Sequence, residues 1–294
     1  MLQKITDMLE LQAKNNDLTF PTWRTANLKW NDAIMVEAVE AFDSVPWKWW
    51  KHSEADIANL QTELVDMWHF IMSLSMVKYG DSISADELNV FNNDIFTVPC
   101  DHEMIKTYLK DIIRECSKLN IHEVDLYFLM SNFTGVVGMS FDSFDDFVKL
   151  YIAKNALNGF RQSRGYKDGT YIKVWSIKDE TETIVEEDNF FIHMFIHSNP
   201  MTDVDTYMAD LLEFLGHIYD THVDPKKTRV EVASSNLQAV ELSGTDCTVH
   251  FKNGTAYRYA DVTKDQFNDL VGAESVGTHF NKVFKPAHPI VEKL

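Results

Sequence analysis

From the N-terminus to about residue 170, apolar side chains recur at every third or fourth position. Leu60, Leu64, Met67, Trp68 and Ile71 form one such stripe, and Ile105, Tyr108, Leu109, Ile112 and Ile113 another; this spacing gathers side chains on one face of an α-helix. Strand signals are nearly absent over this stretch. Its prolines, Pro21, Pro46 and Pro99, mark expected boundaries between helices, because proline lacks the N–H that a helix interior needs. Beyond Gly169 the pattern changes. The acidic run Thr181–Asp188 reads as a solvated loop, an apolar run follows from Phe190 to Ile196, and a further helix is expected from Asp203 to Tyr219. After Asp224-Pro225-Lys226-Lys227 the period falls to two. Val249, Phe251, Tyr257 and Tyr259 alternate with polar neighbours on either side of Asn253-Gly254, a strong hairpin signal because both residues tolerate positive φ. Thr263 with Gln266 three residues later has the form of a capping box that opens a helix. The predicted fold class is mainly α: an all-helical bundle within residues 1–225, followed by a small α+β domain at 226–294.

Composition sharpens this picture. The chain has 294 residues, 45% of them hydrophobic, with 45 acidic against 27 basic residues and a net charge of −18. That is enough apolar material for a sizeable core, and too little positive charge for non-specific binding to nucleic acid or to an anionic membrane. The acid is unevenly placed: residues 1–170 carry 25 acidic and 16 basic side chains, residues 171–225 carry 12 and 2, and residues 226–294 carry 8 and 9. Cys100, Cys116 and Cys247 are odd in number and far apart, so no disulfide framework or CxxC metal site is indicated and a cytoplasmic setting is expected. The N-terminus lacks the basic-then-apolar pattern of a signal peptide, and the greasiest stretch, Met67 to Val77, is interrupted by His69 and is too short to span a bilayer.

Two constellations carry candidate chemistry. Glu37 and Glu40 stand three apart in one predicted helix, and Glu63 and Asp66 repeat the spacing in the next, so each pair emerges from one helix face. Carboxylates on helices are ordinarily solvated. These four, however, are interleaved with Ile34, Val36, Val39, Leu64, Met67 and Trp68, and carboxylates held together among apolar side chains need a cation between them. An all-oxygen ligand set suits Mg²⁺ and leaves coordination positions open for phosphate oxygens and water. Glu37, with Glu40 second, is the candidate to orient an attacking water. The second constellation is basic: Lys149, Lys154, Arg161, Arg164, Lys167 and Lys173 against the single Asp168 between residues 148 and 173. Lys154, Asn158 and Arg161 form a row of donors suited to a polyphosphate; balancing nearby surface acid is the ordinary alternative. A third cluster is aromatic, Trp47-Lys48-Trp49-Trp50-Lys51, in which one ring is expected to pack and others are free to wall a base.

The order ExxE, WKWWK, ELVDMWHF and YIAKNALNGFRQSRGYKDGTY resembles the dimeric, all-helical dUTP pyrophosphatases of trypanosomatids, some bacteria and phages, a branch of the all-alpha NTP pyrophosphatases. The likeness spans Leu9 to about Tyr171 and continues weakly through Glu187-Asp188-Asn189. It implies a homodimer that hydrolyses dUTP, and often dUDP, to dUMP, with pyrophosphate released from dUTP. Glu37, Glu40, Glu63 and Asp66 fall on the Mg²⁺-binding carboxylates of that family, and Lys154, Asn158, Arg161 and Lys167 on its phosphate-contacting motif. Gln12 and Asn16 match the segment that lines the base pocket, while Trp47 and His69 match residues near base and sugar. Residues from about Arg229 to Pro286, with VHFKNGTAYRYADV and ESVGTHFNKVFK, resemble the small KTSC domain, which implies a fold more than a function. The alternatives are a dCTP/dUTP hydrolase of the same fold, or a phage regulatory protein that binds a repressor-type partner through the acidic 171–225 segment or the C-terminal domain.

Overall fold

The computed structural model describes residues 1–80, 88, 90–178, 183–223, 228–243, 245–273 and 275–294. Its helices begin with α1 (Leu2–Thr19), α2 (Trp30–Asp43), α3 (Ile57–Tyr79), α4 (His102–Cys116), α5 (Leu126–Ser140) and α6 (Phe144–Ser163). The starts of four follow from local chemistry. Asp56, Asp101, Asp125 and Ser143 each accept a hydrogen bond from a first-turn N–H of α3, α4, α5 and α6, satisfying donors that have no partner within the helix. Pro21 and Pro46 lie just beyond α1 and α2, and Pro99 just before α4, as expected.

The chain divides into two compact units, residues 1–164 with 189–213 and residues 165–188 with 214–294. At the centre of the first lies α3, against which α1, α2, α5 and α6 pack. The stripe Leu60, Leu64, Met67, Trp68 and Ile71 is wholly buried. Trp68 stacks on Phe133 with ring centres 5.5 Å apart and meets the edge of Phe147 at 6.0 Å. In α4 the buried edge is Ile105, Leu109, Ile112 and Cys116. Asn31, fully buried at the start of α2, donates to the carbonyls of Cys116 and Lys118 at 2.9 and 2.8 Å, supplying partners where α4 ends. The apolar run after residue 188 is α7 (Asp188–Ser198), and α8 (Val204–His222) follows it. No helix among the described residues is long and apolar enough to cross a membrane.

The second unit contains two antiparallel sheets. One is a hairpin of β1 (Val174–Lys178) and β2 (Thr183–Glu187), paired from Val174 opposite Glu187 to Lys178 opposite Thr183. The expectation of a loop at 181–188 is therefore corrected: residues 183–187 are a strand, and residues 181 and 182 lie outside the described residues. The β-branched run Thr183-Ile184-Val185 outweighs the charge of its neighbours, and Lys173 pairs with Glu187 at 2.8 Å. The other sheet runs in the order β3 (Thr228–Glu231), β4 (Leu237–Ser243), β5 (Asp246–Phe251), β6 (Ala256–Tyr259) and β7 (Ile290–Lys293). The turn between β5 and β6 carries Asn253-Gly254 with Gly254 at φ +86°. Thr263 and Gln266 form the expected capping box at the start of α9 (Lys264–Val271). Its core joins Val240, Cys247, Val249 and Tyr259 to Phe267, Leu270, Phe280 and Phe284. The expected boundary at residues 225 and 226 lies outside the described residues.

Two helical glycines test the packing with opposite signs. A Cβ on Gly138 would come within 2.6 Å of the Ile95 carbonyl oxygen, whereas one on Gly159 would meet nothing within 4 Å. Gly138→Ala is expected to destabilise the protein by about 1–3 kcal/mol through overpacking, and Gly159→Ala to stabilise it by about 0.4–1 kcal/mol by restricting the unfolded chain. Urea denaturation followed by circular dichroism at 222 nm checks both.

Candidate active site

Three of the four carboxylates converge. One oxygen each from Glu37, Glu63 and Asp66 lies within 4.8 Å of the others. Helix periodicity places Glu63 and Asp66 on one face of α3, and α2 packs beside it to bring in Glu37. Glu63 is buried, and Glu37 and Asp66 are partly buried. Glu40 is exposed and stands outside this trio, although its charge still acts on Glu37 and Glu63. Its exposed neighbours Val36 and Val39 show that the apolar residues interleaved with the motif do not all face the core.

Crowding the trio has an electrostatic consequence. Burial, then the charges of Asp66, Glu63 and Glu40, push the Glu37 carboxyl up to about 8. Burial and Asp66 push Glu63 up to about 7, against the pull of Lys154. A hydrogen bond between the two glutamates favours the proton on Glu37. Lys154, 2% exposed on α6, sends its Nζ to Asp66 Oδ2 at 2.8 Å. One lysine cannot balance three carboxylates. The donor set is all oxygen and its negative charge is under-compensated, so these residues fit a hard divalent cation.

The basic row is partly an internal brace. Lys154 Nζ also donates to Asn189 Oδ1 at 2.8 Å, and Arg161 Nη2 approaches the same oxygen at 3.4 Å. Arg161 Nη1 donates to Asn158 Oδ1 at 3.2 Å. Lys154, Asn158 and Arg161 are therefore brought together. Lys167 is exposed and belongs to the other compact unit. Asn189, near the start of α7, was given no role from the sequence; it ends the weak continuation of the family likeness, Glu187-Asp188-Asn189, at the head of the apolar run Phe190–Ile196.

A second polar cluster joins α1 to α3. Gln12 Nε2 donates to Asn16 Oδ1 at 2.9 Å and to Ser73 Oγ at 3.2 Å, and Asn16 Nδ2 donates to Ser73 Oγ at 2.9 Å. Ser73 in turn donates to the His69 carbonyl at 2.8 Å. Ser73, fully buried, was missed in the sequence because serine is unremarkable in a helix; its spacing of four from His69 is the clue. The His69 ring lies against Tyr151, with centres 4.7 Å apart. Its Nδ1 donates to the Val65 carbonyl at 2.7 Å, and burial lowers its pKa, so the ring is neutral and Nε2 is a bare acceptor. That atom and Gln12 Oε1 are buried without partners, an arrangement that costs about 1–3 kcal/mol per group until a donor arrives.

Trp47 stands apart from this cluster. Its Nε1 donates to Asp43 at 2.6 Å, its ring packs on Phe42 and meets the edge of Trp50 at 5.3 Å, and it lines a cleft of about 530 Å³ with Trp49, Trp50, His52 and Lys106.

A carboxylate trio on two neighbouring helices, an internal Lys–Asn–Arg brace and a buried amide pair form the setting for the sequence comparisons. A family model described as dUTPase matches residues 4–166, more than half of the chain. The chain belongs to the dUTPase family. Membership makes it an enzyme, a dUTP diphosphatase, and the helical first unit is the all-alpha form of that family. A second model, KTSC domain, matches residues 233–288, which hold most of the five-stranded sheet. An uncharacterized protein of Stutzerimonas stutzeri strain A1501 is 39% identical over 62 residues, covering 20% of this chain and 87% of that protein.

The dUTPase site carries a pH signature. Glu37 and Glu63 have pKa values raised above 4.5 in the folded chain, so the folded state binds more protons than the unfolded one between about 4.5 and 8. Their contribution is therefore full at low pH and is lost as pH rises through the folded values. In EDTA the melting temperature of the first unit is expected to fall between pH 5 and 8.5, by about 2–4 °C for each kcal/mol lost. Saturating Mg²⁺ is expected to flatten this dependence, and differential scanning fluorimetry at matched ionic strength measures both.

Proposed function

We propose that the enzyme hydrolyses dUTP to dUMP and pyrophosphate, and dUDP to dUMP and phosphate, with Mg²⁺ bound by Glu37, Glu63 and Asp66 and assisted by Glu40. The observation that supports this most is the convergence of three carboxylate oxygens within 4.8 Å in a member of the dUTPase family. Bound there, Mg²⁺ would neutralise the carboxylates, polarise phosphate oxygens and make water a better nucleophile. The remaining roles belong to the chain. Ionised by the charge of the bound cation, the Glu37 carboxylate would orient the attacking water and accept its proton, with Glu40 the second choice. Arg161 and Lys154, braced by Asn189, meet the charge of the phosphates, joined by Asn158; the family likeness assigns Lys167 to the same motif.

Gln12, Asn16 and His69 read the base, with Ser73 holding the two amides in place. The unpartnered acceptors Gln12 Oε1 and His69 Nε2 suit a ring N–H such as that of uracil. The family likeness also assigns Trp47 a place near base and sugar, although it lines an aromatic cleft that none of Gln12, Asn16 and His69 enters. We further propose that the protein is a cytoplasmic homodimer. The half-exposed Val36 and Val39 on α2 support a partner surface beside the carboxylates. We place the domain boundary at residues 225 and 226.

Steady-state turnover of dUTP, dUDP, dCTP, dTTP and dATP, with Mg²⁺ and after chelation, tests this reading. dUTP and dUDP are expected to be turned over only with the metal present. Full activity in EDTA overturns the metal assignment, and dCTP turnover equal to that of dUTP overturns the assignment of the base. Glu37→Gln is expected to lower kcat by about 10²–10⁴-fold with the helical circular dichroism unchanged; near-normal kcat removes Glu37 from its role.

A further inference from the structure

Helix α7 presents Asn189 and His193 one turn apart, so both leave the same face. Asn189 Oδ1 accepts from Lys154 and Arg161. Four residues on, His193 Nε2 lies 2.8 Å from the hydroxyl of Thr62, which is 1% exposed on α3 and immediately precedes Glu63.

The direction of that bond can be worked out. Thr62 Oγ1 donates to the Ala58 carbonyl at 2.9 Å. A carbonyl can only accept, so the single hydroxyl proton is committed and His193 Nε2 must be the donor. Burial, with the nearby His197 and Lys154, pushes the His193 imidazole down to about 4. At neutral pH the ring therefore has one N–H, and it points at Thr62.

Packing alone does not require a histidine at this position. Phe191, Ile192 and Phe195 already bury the apolar side of α7. Contacts of that kind are non-directional and tolerate rotation and sliding of a helix, whereas a hydrogen bond fixes both within a few tenths of an ångström. We propose that His193 is a positioning residue: its bond to Thr62 holds α7 in register with the carboxylate helix, and so keeps Asn189 where it can set Lys154 and Arg161 for the substrate's phosphates. This assignment rests on the proposed function, because it acts through residues given a phosphate role there.

Kinetics on the full-length enzyme test it. His193→Phe removes the donor but retains a flat ring; its KM for dUTP is expected to rise about 5–10-fold, the loss of one neutral hydrogen bond, while kcat stays within about two-fold of wild type. His193→Gln, whose Nε2 can donate with similar reach, is expected to restore KM to within about two-fold, and Thr62→Val to reproduce the Phe phenotype. The double variant N189A/H193F is expected to have the KM of N189A alone, because both changes disable one device. A wild-type KM in H193F, equal impairment in H193Q and H193F, or multiplying effects in the double variant would each overturn the assignment. ¹⁵N NMR of the wild-type ring is independent of any variant's folding: the Nε2–H tautomer is expected, and the Nδ1–H tautomer overturns the proposal. Wild-type turnover of dUTP with an unaffected H193F defeats this inference alone; a wild-type protein inert towards dUTP defeats the proposed function and this inference with it.

Discussion

Three carboxylates within 4.8 Å of one another repel, and the helical unit is organised around holding them there. Glu63 and Asp66 lie on α3, the helix most enclosed by others, and Glu37 comes from α2 beside it. Repulsion would be relieved by splaying the two helices. What resists splaying is the apolar packing one turn away: Leu60, Leu64, Met67 and Trp68 are all fully buried, and Trp68 is clamped between Phe133 and Phe147. Burial of large rings at about 25 cal/mol per Å² of apolar surface is the only term on this scale with which to hold like charges close. The same enclosure raises Glu37 and Glu63, so the rigidity of the core and the crowding of charge at the trio have one cause.

Lys154 is the hinge of this arrangement in chemical terms. It is 2% exposed, yet its ammonium touches both Asp66 and Asn189. A buried lysine with two oxygen partners is tolerable, because paired charge and filled hydrogen-bond sites offset desolvation. By bridging them it couples the carboxylate helix to α7. A shift of α7 would unseat Lys154, and an unseated Lys154 would leave Asp66 to add its full repulsion to Glu37 and Glu63. The acidic and basic sides of the site are thus one electrostatic system.

Much of this was legible in the sequence, and the gaps have physical reasons. The stripes Leu60 to Ile71 and Ile105 to Ile112 predicted helices because helical period and burial coincide there. Asn253-Gly254 and Thr263 with Gln266 predicted their hairpin and cap because those signals are local. Glu40 shows the limit of spacing arguments: three residues from Glu37 guarantees a shared helix face, but not a shared burial, and Glu40 is exposed. The acidic run Thr181–Asp188 misled because strand formation at residues 183–187 depends on pairing with Val174–Lys178 across the hairpin, which no local count can see. Ser73 and His193 escaped, and Asn189 was marked only by the weak end of the family likeness, because a lone polar residue in an apolar run acquires meaning only from what another helix brings opposite it. For the site, the acids were visible as a pattern; their braces were not.

The net charge of −18 poses a last problem for an enzyme whose substrate carries about four negative charges. Long-range attraction cannot gather such a substrate, since the field of the chain opposes it. Physiological salt shortens that field to about 8 Å, so capture is decided at contact. At that range the proposed site would offer few charges, among them the trio of carboxylates, Lys154 and Arg161. Without a cation the trio alone would repel a polyphosphate, and Lys154 is already paired with Asp66. On the proposed reading, a divalent ion seated on the trio would reverse the sign of the surface that the phosphates meet, and would also weaken the pull of Asp66 on Lys154. The acid at the proposed site would then make an anionic substrate admissible, by holding a positive charge that Lys154 and Arg161 do not by themselves supply.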